Sequence, residues 1–170
     1  TIVPGFNDAH AHFVQYALGL REANLVGTKS WEEVLKTLTT FFAKKTTGWI
    51  IGRGWDQNDW EDKRFPDRTE LDKLFPEQPV FLMRIDGHAA LCNGAALRAA
   101  GINAKTKVKG GEVILRNGSP SGLLIDNALE LVSAKIPGFS GTLNAEALLE
   151  AQVNCFKAGL TTVSDAGLGM

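Results

Sequence analysis

Short apolar runs along this chain alternate with stretches whose apolar residues recur every three or four positions, a pattern that predicts strands separated by helices. Thr1 to Phe6 reads as a short buried strand that opens into a polar mouth at Asn7 to His12. Phe13 to Leu20 suits a helix or a turn, and Leu25 to Ser30 is an irregular link. Trp31, Val34, Leu35, Leu38, Phe41 and Phe42 then share one helical face, with Ser30 and Glu33 spaced as a capping box. Trp49 to Trp55 predicts a strand broken at its glycines. A polar loop follows from Asp56 to Asp67, carrying Trp60 and closed by Pro66.

Further on, Thr69 to Phe75 predicts a short helix capped by Thr69, with Leu71, Leu74 and Phe75 facing inward. Pro79 introduces a strand from Val80 to Ile85, and Asn93 to Ala100 predicts a helix stopped by Gly101. Lys105 to Gly122, rich in Gly, Lys, Asn and Ser, predicts a surface hairpin. Leu123 to Ile136 returns to helical periodicity before Pro137-Gly138. Thr142 or Asn144 caps a last helix that reaches about Ala158 and ends at Gly159; Leu160 to Ser164 is a last strand. No internal repeat or low-complexity tract interrupts this order. Recurring strand and helix favour an α/β architecture over a bundle or sandwich. The chain has 170 residues, too few for a complete eight-stranded α/β barrel, which needs about 250.

Composition narrows the function classes. With 44% apolar and 22% charged residues the chain reads as an ordinary globular protein. Eighteen basic against nineteen acidic side chains leave a net charge of −1, which argues against nucleic acid as a partner. No run approaches the roughly 18 apolar residues of a membrane span. Cys92 and Cys155 are isolated and read as ordinary thiols. The first residue is not Met and the last follows an apolar run, so both ends are expected to be cut rather than natural; the compartment expected is the cytoplasm.

Two of the three histidines, His10 and His12, stand two residues apart. On a strand, residues two apart share a face, so Asp8, His10 and His12 line up if the first strand continues. Neutral imidazole is the commonest metal ligand, and this pair is the chain's leading candidate for holding a divalent ion. The third histidine, His88, follows Arg84 and Asp86 at the same spacing, with Gly87 pointing to a turn. It reads either as a group near metal or substrate, or as a side chain satisfied by a neighbouring carbonyl. Trp55 and Trp60 suit a substrate lid, or simply pin their loop to the body. Asp165 ends an apolar strand, as a mouth residue or as a cap, and Lys105, Lys107 and Lys109 make a solvated face rather than a phosphate patch.

The segment Pro4-Gly5-Phe6-Asn7-Asp8-Ala9-His10-Ala11-His12 resembles the first-strand motif PGxxDxHxH of the amidohydrolase superfamily. Gly52-Arg53-Gly54-Trp55-Asp56, Arg84-Ile85-Asp86-Gly87-His88-Ala89-Ala90 and Asn93-Gly94-Ala95-Ala96-Leu97 resemble its amidohydrolase-3 (YtcJ-like) group. So do Gly122 to Asp126 and Gly159 to Asp165, so that the likeness spans essentially the whole chain. The resemblance implies part of a TIM-like (β/α) barrel with an inserted α+β subdomain. Residues 1–47 would be the first barrel strand and helix, 48–138 the insertion, and 139–170 a further barrel helix and strand. It implies a metal-dependent hydrolase in which metal-activated water attacks an amide or related C–N bond of a small-molecule substrate. His10 and His12 would be metal ligands, with Asp8 orienting the site. His88 would stand near the metal or substrate as a catalytic group; from the residues themselves, Trp55 and Asp86 are the candidates for binding substrate.

The chain also departs from that pattern. Later-strand histidines and a late aspartate are absent, and two imidazoles fall short of the three protein ligands of a catalytic zinc. The expectation is zinc or another divalent metal in the intact enzyme, with this piece inactive and holding none. Exposed strand edges and apolar helix faces predict a homodimer, without nucleic acid or membrane as partner. The alternative is a non-catalytic ligand-binding or oligomerisation module that uses the tryptophan-rich region without metal.

Overall fold

The computed structural model describes residues 3–43, 48–137 and 141–167, without the side chains of residues 141–144. In chain order the elements are β1 (Phe6–Ala11), α1 (Phe13–Gly19), β2 (Ala23–Asn24), α2 (Trp31–Phe41), β3 (Ile50–Trp55), a 3-10 turn (Gln57–Asp59), α3 (Thr69–Leu74), β4 (Val80–Arg84), β5 (Ala89–Cys92), α4 (Gly94–Ala99), β6 (Gly111–Arg116), β7 (Ser119–Asp126), α5 (Ala128–Ser133), α6 (Gly141–Lys157) and β8 (Leu160–Asp165). The fold is mixed α/β, and among the described residues the strands close no barrel. Among the same residues no helix is long and apolar enough to cross a membrane. Contacts divide the chain into two compact units, Thr1–Glu22 with Gly138–Met170, and Ala23–Pro137. The sequence reading draws its boundaries after residues 47 and 138 instead. Helix α2, grouped there with the first strand, packs on β2, β3 and α3 of the larger unit.

The larger unit is built on a six-stranded sheet in the order β2-β3-β4-β5-β7-β6. Strands β2, β3 and β4 run parallel, and β5, β7 and β6 add antiparallel pairings. Both faces are covered, because successive residues of a strand point to opposite sides. Val80, Leu82, Leu91 and Leu123 join one core with Val34, Leu38, Trp55 and Leu71. Their sequence neighbours Phe81, Ala90, Cys92 and Leu124 join a second core with Leu97, Leu129 and Val132. Burial pushes the Cys92 thiol well above its ordinary range, so it is an inert packing group.

Local chemistry shapes the ends of these elements. Ser30 Oγ accepts the Glu33 N–H at 3.2 Å, as its spacing predicts, while Glu33 reaches back to the Lys29 N–H at 2.7 Å. Asn117 and Gly118, with φ of 51° and 75°, supply the left-handed pair that a tight hairpin needs between β6 and β7. Asn93 is fully buried and makes four bonds. Its Oδ1 accepts from the N–H groups of Val80 (2.9 Å) and Ala96 (3.0 Å); its Nδ2 donates to the carbonyls of Phe75 (2.7 Å) and Gln78 (2.8 Å). One side chain thereby caps α4, seats the first residue of β4 and ties both to the end of α3.

Several expectations need correction. Residues 123–126 belong to β7 and not to a helix, and α5 covers only Ala128–Ser133. That apolar run carried no signal separating a strand from a helical turn, and pairing with β5 and β6 decided it. Thr69 is the first residue of α3, and the Asp67 carboxylate accepts its N–H at 2.9 Å, so Asp67 does the work expected of Thr69. Leu74 is exposed, leaving Leu71 and Phe75 as the inward pair. The first strand starts at Phe6, itself exposed, and runs on to Ala11, while residues 1–2 lie outside the description. The expected caps Thr142 and Asn144 have side chains outside it as well.

In the smaller unit β1 pairs in parallel with β8, and α1 packs on α6 through Ala17, Ala147 and Ala151. Gly159, with φ of 81°, ends α6 and turns the chain into β8 as expected. Leu149, Val153 and Phe156 form an exposed apolar stripe along α6.

Candidate functional site

In the smaller unit the register sets Ala11 of β1 opposite Asp165 of β8, so the two parallel strands finish together. Carboxyl ends of parallel strands are where α/β folds carry their chemistry. Asp8, His10 and His12 all line one cleft of about 440 Å³ there, together with Tyr16, Asn154 and Cys155. Asp8 Oδ1 accepts the His10 N–H at 3.0 Å, which ties the backbone between them. The two imidazole rings stand edge to face with centroids 5.5 Å apart.

Asp165 has a defined task. Helix α1 starts after His12, whose side chain makes no capping bond, and Asp165 supplies the missing acceptor. Its Oδ2 takes the Val14 N–H at 2.9 Å and its Oδ1 the Gly167 N–H at 2.7 Å. Those bonds, with His12 nearby, hold its carboxyl below the ordinary range. Asp165 is therefore a cap, the second of its two sequence readings. Gly167 lies so close that a β-carbon there would come within 2.7 Å of His12 Nδ1.

The donor chemistry suits a divalent metal in part. Strand β1 ends at Ala11 and His12 is already the N-cap of α1, so the two imidazoles do not share a strand face as the spacing predicts; both line the same cleft, exposed and free of competing side-chain hydrogen bonds among the described residues. Among those residues, no group of three or more His, Cys, Asp or Glu side chains is placed to hold an ion. Two imidazoles alone are one short of the three protein ligands that a catalytic zinc takes.

In the larger unit a second polar cluster forms where β3 and β4 end. Arg84 Nη2 donates to Asp56 Oδ1 at 2.9 Å, its Nε donates to Gln57 Oε1 at 2.9 Å, and its Nη1 pairs with Asp86. Its guanidinium carbon stands 5.8 Å from the centre of the Phe65 ring. Asp86 Oδ1 accepts the His88 N–H at 3.0 Å, and His88 Nδ1 lies 2.9 Å from Asp126 Oδ1. Asp86 and His88 are both exposed. His88 is satisfied by a carboxylate, a partner neither of its sequence readings contained. Asp126 and Asp56 both lie in family-like segments, but nothing local points to the contact of the one with His88, 38 residues away, or to the ion pair of the other with Arg84, 28 residues away.

Trp55 is fully buried and donates its indole N–H to the Leu82 carbonyl at 2.9 Å. Trp60, buried too, stacks on it with centroids 6.0 Å apart. Both tryptophans therefore pin the loop to the body of the unit. Lys105, Lys107 and Lys109 are exposed, as a solvated face requires.

Burial by itself would raise the Asp56 carboxyl, but the Asn58 N–H and Arg84 outweigh it and hold it below the ordinary range. A carboxyl depressed in the fold stabilises above its unfolded value of about 3.9, and that stability is lost as pH falls through the lower folded value. Asp56→Asn is thus expected to flatten the acid side of the stability profile. Urea unfolding between about pH 5 and pH 2 checks this; equal slopes for both proteins would refute it.

A family model described as "Amidohydrolase family" matches residues 1–170. The putative amidohydrolase YtcJ of Bacillus subtilis (strain 168) is 37% identical over 161 residues, 93% of this chain and 30% of that protein. The N-substituted formamide deformylase of Arthrobacter pascens is 33% identical over 175 residues, 98% of this chain and 32% of that protein. Among solved structures, an uncharacterized metal-dependent hydrolase from Pyrococcus horikoshii OT3 superposes with a TM-score of 0.68 at 26% identity, over 95% of this chain and 30% of that one. The chain thus spans about a third of the length of the curated relatives it matches.

Proposed function

The chain belongs to the amidohydrolase family, and from that premise we propose that it forms part of the catalytic body of a metal-dependent hydrolase acting on C–N bonds. In this reading β1 and β8 are neighbouring strands of a barrel and Ala23–Pro137 is the insertion between them. The observation that carries it is the His10–His12 pair on one cleft, at the shared end of two parallel strands. His10 and His12 hold a divalent ion, which we take to be zinc, and Asp8 keeps the strand between them in place through the His10 N–H. When bound, such an ion lowers the pKa of its water toward about 7 and polarises a substrate carbonyl.

The bond class is supported by the relative named as an N-substituted formamide deformylase. The substrate is accordingly a small amide. Two imidazoles leave the ligand set short, so activity belongs to the longer protein and this chain alone turns over nothing.

The test is hydrolysis of an N-substituted formamide by the intact protein, before and after chelation and after return of zinc. Activity lost on chelation and regained with zinc is the expected result. Activity that survives complete removal of metal would overturn the reading.

A further inference from the structure

We propose that the Tyr16 hydroxyl, oriented by Asn154, is the group of the His10–His12 cleft that binds the carbonyl oxygen of a small amide substrate. The inference deepens the reading of that cleft as the active site and rests on it for the class of ligand. Asn154 is a positioning residue, since it acts through Tyr16.

Tyr16 and Asn154 both belong to the smaller unit, and both line the cleft that holds Asp8, His10 and His12. Helix α1 begins directly after His12, and the Tyr16 N–H donates to the His12 carbonyl at 2.8 Å. Tyr16 therefore stands one helical turn beyond that histidine, on the same side of the helix. Helix α6 packs on α1 through Ala17, Ala147 and Ala151, and small side chains let the two helices approach closely. That approach brings Asn154 to the Tyr16 hydroxyl across 138 positions of sequence. The pair is thus carried by two packed helices rather than by a loop, which fixes its place in the cleft.

The direction of the bond decides what the pair offers. Asn154 Nδ2 donates to the Tyr16 oxygen at 3.1 Å. A phenol oxygen that accepts from an amide keeps its own hydrogen for another acceptor. Among the described residues Asn154 is the only side chain bonded to that hydroxyl, so its hydrogen is free. Tyr16 is 46% exposed, and a ligand entering the cleft can reach it. Much of the remaining wall is apolar, made by Phe13, Ala158, Leu160 and Val163. Apolar walls with a few fixed polar groups are how pockets orient small ligands. An amide matches this lining: its carbonyl oxygen is a strong acceptor for the free O–H, and an alkyl substituent lies along the apolar wall.

The test is calorimetric binding of N-butylformamide to the intact protein stripped of metal by chelation, so that hydrolysis does not intervene. Tyr16→Phe keeps the ring and deletes only the hydroxyl, and should raise Kd about 5-fold. Asn154→Asp is the sharper variant. Its carboxylate only accepts, so it captures the phenol hydrogen and should reproduce the Tyr16→Phe loss with the hydroxyl still present. The double variant should bind no more weakly than either single one. With N-butylthioformamide, whose sulfur is a poor acceptor, native protein and Tyr16→Phe should bind alike. An unchanged Kd in Tyr16→Phe or in Asn154→Asp, or no binding by the native protein, overturns the inference. So does a loss confined to the unfolding midpoint, which is what a mere tie between helices predicts. Hydrolysis that survives chelation overturns the metal reading instead, and Tyr16 is then decided by KM, which should rise in Tyr16→Phe.

Discussion

Replacing His10 and His12 together by alanine is expected, on the proposed function, to leave the intact protein without bound metal and without measurable hydrolysis. The two imidazoles are the only His side chains on that cleft among the described residues, and no three or more His, Cys, Asp or Glu side chains among those residues are placed to hold an ion. In the proposed function each removal would delete a direct ligand, so the loss should exceed the roughly 10–100-fold typical of removing an outer hydrogen-bonding partner. Asp8→Ala, which removes only the bond to the His10 N–H, should fall within that smaller range. Stability should change little, because both histidines are exposed and surface substitutions usually stay within about 0.5 kcal/mol. Metal analysis of the purified variants, beside their unfolding curves, decides the matter. A double variant that keeps its full complement of metal would remove His10 and His12 from the ligand set.

The second large effect is on folding. Asn93→Ala takes the cap from α4 and leaves the Phe75 and Gln78 carbonyls and the Val80 N–H without their side-chain partner. A lost cap costs about 1 kcal/mol, and each stranded buried polar group about 1–3 kcal/mol. Some of these groups recover a water or a relaxed partner, so the expected loss is about 4 kcal/mol, a large share of a domain's net stability. With a urea m-value near 2 kcal/mol/M, that corresponds to a midpoint shift of about 2 M. Asn93→Asp keeps the acceptors but loses the two donors and buries a charge, so it should not rescue. A midpoint within experimental error of the native one would show that the four bonds carry little net stability.

Much of the secondary structure was legible along the chain. The face made by Val34 and Leu38 with its Ser30 cap, the run from Val80, and a surface hairpin within residues 105–122 each depend on neighbours a few positions away. The failures share a cause. Residues 123–126 became a strand because β5 and β6 offered them partners, and Trp55 became core because the Leu82 carbonyl and the Trp60 ring closed over it. Neither partner can be read from adjacent sequence.

By itself the sequence determined the α/β character and membership in the amidohydrolase family, because residue identity and spacing suffice for both. Tertiary structure alone decided that Ala11 lies opposite Asp165, that Asp165 caps α1 across 151 positions, and that His88 meets Asp126 across 38. The physical reason is range: periodicity sets which way a side chain points, whereas its partner depends on which distant strands pair.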